Sequence, residues 1–213
     1  MKILDLCCGA GLAAIGYHEA MPGSHVVGWD IENMMNVYPF QFMQGDAFGL
    51  DYEYLSQFDL IHISPPCQRY SKVTPRHLKN SHPHLIPNAL RLAYASGKPF
   101  VVENVPGSTA HLRPTFRLTL GGKVRFFHAN FNVTDHSWPG SNIMSDRYSS
   151  KRDVYATWGI PPRYSLSMAD IRQGIPPRMT MHIAKAFMIC RHKTSADKTE
   201  KWPASKKSLR DDM

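Results

Sequence analysis

The chain is poor in cysteine. It has four in 213 residues, Cys7, Cys8, Cys67 and Cys190, two of them adjacent. That set has neither the spacing of a disulfide framework nor that of a zinc site, so reduced thiols are the simplest reading. Long apolar runs are missing as well. No stretch approaches the ~18 residues that span a bilayer, and no membrane association is expected. The N-terminus runs straight into a strand without a signal-peptide pattern, so the expectation is a cytoplasmic protein. There is no internal repeat. Acidic residues are outnumbered: 17 Asp and Glu stand against 25 Lys and Arg, a formal charge of +8 and a pI of about 9.4. The excess suits a polyanionic partner, DNA or RNA. Part of it lies in a basic tail (Lys193, Lys198, Lys201, Lys206, Lys207), and the rest is spread over the body.

What the chain does have is alternation. Lys2–Leu6, His25–Trp29, Gln41–Gln44, Phe58–Ser64 and Pro99–Glu103 read as strands. Helical periodicity fills Leu12–Met21 and His84–Ser96 between them. Strands alternating with helices imply an α/β fold, a mostly parallel sheet covered on both faces. Lys123–Phe131 reads as a further strand. Residues 132 to about 162 show little periodicity and are expected to form a small irregular insertion. Ser167–Gln173 and Met179–Arg191 are expected helices, separated by Ile175-Pro176-Pro177. The expected division is a catalytic and cofactor domain over 1–131, a variable region over 132–165, a return to the catalytic domain over 166–192, and a disordered basic tail over 193–213.

In open parallel sheets, ligands bind beyond the carboxyl ends of the strands. Five such ends converge here: Asp5 to Gly11, Asp30, Asp46, Ser64 to Ser71, and Glu103-Asn104. Gly9 and Gly11 let a cofactor approach the first turn closely. Asp30 is placed to accept from ribose hydroxyls, and Asp46 to meet an adenine amino group. No Lys-Ser/Thr phosphate loop is present, which favours S-adenosylmethionine over a nucleoside triphosphate. Two prolines stiffen the turn before Cys67 and fix the direction of its thiol, as a cysteine nucleophile requires. Glu103, a carboxyl in a partly closed site, can exchange a proton with a ring nitrogen. Together they suit attack on C6 of a pyrimidine and reaction of its C5 with a methyl sulfonium. Arg125 is a candidate third partner. His77, His82 and His84 match no zinc pattern, and no metal site is expected. The loop that holds them carries Lys72, Arg76 and Lys79, which could close toward phosphates.

These motifs resemble those of the DNA (cytosine-5) methyltransferase family, in a compact form similar to members encoded by bacteriophages. They appear in the family's order: DLCCGAG from Asp5, WDIE from Trp29, GDAF from Gly45, SPPCQRYS from Ser64, ENVPG from Glu103, KVRFF from Lys123 and GIPPRMTMHIA from Gly174. The resemblance implies a Rossmann-like S-adenosylmethionine-dependent methyltransferase fold. Cys67 would attack C6, Glu103 would engage N3 and the exocyclic amine, and Arg125 would stand for an arginine of the family's Gln-x-Arg-x-Arg motif. Asp5, Gly9, Gly11, Asp30, Ile31, Asp46 and Pro66 would line the cofactor pocket. Gln68, Arg69, Ser71, Lys72, Lys123, Arg147 and Arg152 would meet nucleic acid. The target would be a cytosine flipped from duplex DNA, the protein a monomer, and its place the host cytoplasm if a phage encodes it. RNA or a free cytosine nucleotide is the alternative substrate, and a non-catalytic nucleic-acid-binding relative the alternative of another class. Departures are Cys7 where phenylalanine is usual, Leu12 for a glycine, Lys123 for an arginine, and only about 45 residues between Phe127 and Gly174.

Overall fold

A computed structural model describes residues 1–140 and 150–196. Its centre is an eight-stranded sheet. The strands are β1 (Lys2–Leu6), β2 (His25–Asp30), β3 (Gln41–Gln44), β4 (Leu60–Ile63), β5 (Phe100–Asn104), β6 (Phe116–Leu120), β7 (Lys123–Ala129) and β8 (His136–Trp138). Their spatial order is β3-β2-β1-β4-β5-β7-β6-β8. The first five are parallel neighbours, and β7 enters antiparallel between β5 and β6. Apolar runs such as KILDL and LIHI suit this interior, because a parallel strand is covered on both faces.

Helices supply the cover. They are α1 (Leu12–Ala20), α2 (Tyr52–Ser56), α3 (Ile86–Ala95), α4 (Thr109–Leu112), α5 (Lys151–Trp158), α6 (Met168–Gln173) and α7 (Pro177–Ala196). Two hydrophobic clusters lie on opposite faces of the sheet. One holds Leu12, Ile15 and Tyr17 of α1 with Ile183 and Phe187 of α7, against Ile3, Leu60, Val101 and Phe127. The other holds Ile86, Ala89 and Ala93 of α3 against Leu4, Ile61 and Val102. Alternation along the strands sends odd residues of β1 to one cluster and even residues to the other. Among the described residues, no helix is long and apolar enough to cross a membrane.

Residues 132–165 are more regular than expected. β8 pairs in parallel with β6, and α5 follows. A capping box, Ser150 with Asp153, starts α5, and Gly159 at φ 72° ends it. Val154 and Trp158, one turn apart, are its buried side. Pro177 opens α7 instead of separating it from what precedes, since a first-turn proline lacks only an N–H that would be unpaired anyway. The expected tail begins inside α7, and residues 197–213 lie outside the described residues.

α1 and α7 meet through one glycine. A Cβ on Gly16 would stand 2.1 Å from Thr180 Oγ1 and 2.2 Å from the Pro177 carbonyl oxygen. Thr180 Oγ1 in turn donates to the Ala13 carbonyl at 2.9 Å. Gly16→Ala is therefore expected to force the helices apart and lower stability by about 1–3 kcal/mol. Denaturant unfolding monitored by tryptophan fluorescence checks this.

Candidate active site

Strand parity sets one row of polar residues against the rim. Asp5 lies beside His62 in the β1–β4 register, and Ile63 beside Val102 in the β4–β5 register. One step further, Ser64 comes next to Glu103. Glu103 is opposite Phe127, so Arg125, two residues along β7, shares its face on the diagonal. Arg125 Nε is 2.8 Å from Glu103 Oε1, and both side chains are almost buried. The two are an ion pair by distance, yet the N–H is not directed at Oε1, which keeps no hydrogen-bond partner.

The Cys67 loop is fastened to the strand that carries Glu103. Asn104, fully buried, donates through Nδ2 to the Pro65 carbonyl at 2.9 Å and accepts from the Val105 N–H at 3.0 Å. The amides of Tyr70 and Ser71 both close on the Cys67 carbonyl at 2.9 Å. A Cβ on Gly107 would stand 2.0 Å from the Tyr70 carbonyl oxygen, so only glycine lets these segments meet. Asn104 and Gly107 were visible as part of ENVPG, but nothing in their spacing showed that they hold the cysteine's loop.

Burial and the nearby Glu103 push the Cys67 thiol's pKa up, while Arg125 and Lys123 pull it down. Burial likewise raises the Glu103 carboxyl, opposed by Arg125, Lys123 and a hydrogen bond from Ser64. The two acids therefore disfavour each other's ionisation, and the resting pair carries at most one negative charge comfortably. A ready-made thiolate, expected for a nucleophile, is not what this environment holds. Lys123, placed by resemblance against nucleic acid, is instead buried. Its Nζ donates to the carbonyls of Gly174 at 2.7 Å and Arg172 at 3.1 Å, and lies over the Trp158 ring. Phosphate cannot reach it there.

The first turn makes the cofactor side. Gly9 has φ 49°, and a Cβ on it would meet nothing within 4 Å, so open space lies above the turn. The Gly9 N–H donates to Asp30 Oδ2 at 2.9 Å, while Asp30 Oδ1 accepts from the Glu32 N–H at 3.0 Å. Ile31 beside it is 66% exposed, an apolar side chain left uncovered. Trp29 Nε1 is buried without a partner near Gly45. Asp46 accepts from the Phe48 N–H at 2.9 Å. An open glycine cradle, an uncovered isoleucine and carboxylates at two strand ends fit the adenosine half of S-adenosylmethionine. Two expected pocket residues are placed otherwise. A Cβ on Gly11 would strike Pro39 and Tyr38 at 2.7–2.9 Å, so Gly11 serves packing. Asp5 is fully buried below the turn and accepts from the Tyr38 hydroxyl at 3.4 Å, its pKa raised well above normal by burial.

Of the other expected contacts, Pro66, Gln68 and Lys72 are exposed on the loop at Cys67. Arg69 donates to the His82 carbonyl at 3.0 Å, and Ser71 Oγ accepts from the Val73 N–H at 3.2 Å. Arg152 is exposed on α5, and Arg147 lies outside the described residues.

Three comparisons bear on this geometry. The family model for C-5 cytosine-specific DNA methylase matches residues 1–119. No curated protein sequence matches. Among solved structures, the Entamoeba histolytica methyltransferase EhMeth superposes with a TM-score of 0.60 at 8% identity, covering 90% of this chain and 98% of its own. Dnmt2 methyltransferase of S. pombe aligns at 15% identity and a TM-score of 0.44, covering 78% of this chain and 57% of its own. An RNA methyltransferase from Salinibacter ruber, solved with S-adenosyl-L-homocysteine, aligns at 17% identity and a TM-score of 0.38, covering 60% and 79%.

Because Glu103 and Cys67 oppose each other's charge, Glu103→Gln is expected to lower the thiol's pKa. Alkylation of Cys67 by iodoacetamide at pH 8 should then be several times faster than in the unaltered protein, read by mass spectrometry of the peptide. An equal or slower rate would contradict the coupling.

Proposed function

The chain belongs to the C-5 cytosine-specific DNA methylase family and is an S-adenosylmethionine-dependent methyltransferase, and from that premise we propose that it methylates C5 of cytosine in DNA through a covalent Cys67 adduct. The observation that carries this reading is the pairing of Cys67 with Glu103 on one rim. Glu103 raises the Cys67 thiol's pKa, burial raises that of the Glu103 carboxyl, and Arg125 stands 2.8 Å from the carboxylate. The net charge of +8 and the family match favour DNA as the polyanion.

The charge coupling gives the proton inventory. In the reactive form the thiol proton has moved to Glu103, leaving a thiolate and a carboxylic acid. Sγ attacks C6, the C5–C6 π pair moves to C5, and Glu103 passes its proton to N3. The ring thus gains one sulfur bond and one proton, and the negative charge that began on Sγ ends on the Glu103 carboxylate. Bound S-adenosylmethionine supplies an electrophilic methyl group to C5. A base from solvent takes the C5 proton, its bonding pair re-forms the C5–C6 double bond, Cys67 leaves as the thiolate, and N3 returns its proton to Glu103. Arg125 keeps Glu103 aimed throughout, its charge limiting how far burial favours the acid. Gly9, Asp30, Ile31 and Asp46 would hold the cofactor. Reaching the base requires its extrusion from the duplex, at about a few kcal/mol.

Trapping tests the reading. With S-adenosylmethionine and duplex DNA containing 5-fluorocytosine, a denaturation-resistant adduct is expected with intact Cys67 and none with Cys67→Ala. An adduct with RNA or the fluorinated nucleotide, but not DNA, would move the substrate. No adduct on any of them would count against the covalent reaction. Asp30→Ala is expected to weaken S-adenosylmethionine about tenfold or more in calorimetry, since it removes a carboxylate partner. Unchanged affinity would contradict the assigned pocket.

A further inference from the structure

The polar row that ends at Glu103 does not begin there. Beneath it, on the same face of β4, His62 is completely buried. Tyr17 of α1, also completely buried, has its hydroxyl 2.8 Å from His62 Nδ1. His62 Nε2 is 2.8 Å from Ser64 Oγ. Ser64, one step past the Ile63–Val102 register pair, stands beside Glu103, whose pKa its hydroxyl lowers. Four side chains from three elements thus form one chain, Tyr17–His62–Ser64–Glu103. The methyl-transfer chemistry proposed above uses only its last member.

The direction of every proton in that chain follows from its buried end. Burial keeps the Tyr17 phenol protonated and pulls His62 down to about 3, so the imidazole is neutral with one N–H. Among the described residues, the Tyr17 hydroxyl hydrogen-bonds Nδ1. A buried O–H needs an acceptor, so Nδ1 accepts and the ring proton sits on Nε2. Nε2–H then donates to Ser64 Oγ, which leaves the serine's own O–H to donate onward. The acceptor beside it is Glu103. The opposite polarity would orphan the tyrosine proton in the core.

We propose that His62 is a positioning residue for the Cys67–Glu103 pair: anchored by Tyr17, it fixes the Ser64 hydroxyl as a donor to Glu103. The consequence for the site is twofold. One Glu103 oxygen is held from below, while Oε1, buried and without a hydrogen-bond partner, lies against Arg125. The donor also favours the carboxylate, against burial and alongside Arg125 and Lys123 of β7. Cys67 faces Glu103 from the loop, and Asp5 of β1 lies beside His62 in register, so these are the charged groups around the chain. Its role in turnover rests on the reading of Glu103 as the carboxyl that meets the base.

The test reads Glu103 itself. Carboxyl-labelled [13C]glutamate protein is titrated by NMR, with the Glu103 signal assigned by its loss in Glu103→Gln. In Ser64→Ala, and in Tyr17→Phe, the Glu103 midpoint is expected to rise by about one unit, a tenfold change in proton affinity. The imidazole 15N spectrum of the unaltered protein should show His62 as the Nε2–H tautomer, not titrating between pH 5 and 8. Ser64 is only half-buried, so Ser64→Ala keeps the test valid if Tyr17→Phe does not fold. An unchanged midpoint in Ser64→Ala, or an Nδ1–H tautomer, would overturn the proposal. Both readouts need no catalysis. A protein that traps no cytosine substrate yet gives the expected titration would therefore overturn the catalytic reading and uphold the chain.

Discussion

A carboxyl group drawn out of water into the end of a sheet must find compensation, and at Glu103 that compensation organises the site. Its desolvation is opposed by Arg125 at 2.8 Å, by Lys123 behind it and by the Ser64 hydroxyl. Each partner arrives by a different route. Arg125 and Lys123 come from the antiparallel strand inserted between β5 and β6, and Ser64 from the parallel neighbour β4. The unusual strand is thus the one that brings cations to the carboxyl. Removing any of the three leaves the charge less balanced, because a buried ion stripped of a partner costs far more than the pair contributes.

That dependence reaches Cys67 through sterics as much as charge. Asn104 follows Glu103 on β5 and bonds the loop before the cysteine, while Gly107 admits the Tyr70 carbonyl after it. Cys67 and Glu103 are therefore referenced to the same strand.

Much of this was legible in the sequence. Gln41–Gln44 appears as read, and β1, β2, β4 and β5 fall within two residues of their expected bounds, because buried parallel strands are short apolar runs with turn residues beyond them. The rim residues were legible for the same reason. The insertion was not read correctly. Ser150, Asp153 and Gly159 carry ordinary cap signals for α5, but its apolar side is only Val154 and Trp158, too sparse to show a period among so many polar neighbours. Gly11 and Gly9 look alike in a motif, and only packing against Tyr38 and Pro39 separates them. Lys123 read as a surface cation because nothing local reveals that two carbonyls from residues 172 and 174 will enclose it. The Tyr17–His62–Ser64–Glu103 chain was equally hidden, since it links three segments far apart in sequence.

The enclosure of Lys123 has a consequence for the order in which the protein becomes an enzyme. Cys67 and Glu103 leave the ribosome early, but the buried ammonium two positions from Arg125 is satisfied only by carbonyls some fifty residues later. Until that stretch is made, Lys123 has neither its covering chain nor these acceptors, and the strand that balances Glu103 has no settled place. The surroundings of the Cys67–Glu103 pair are therefore completed late in synthesis, once the chain that covers Lys123 is present.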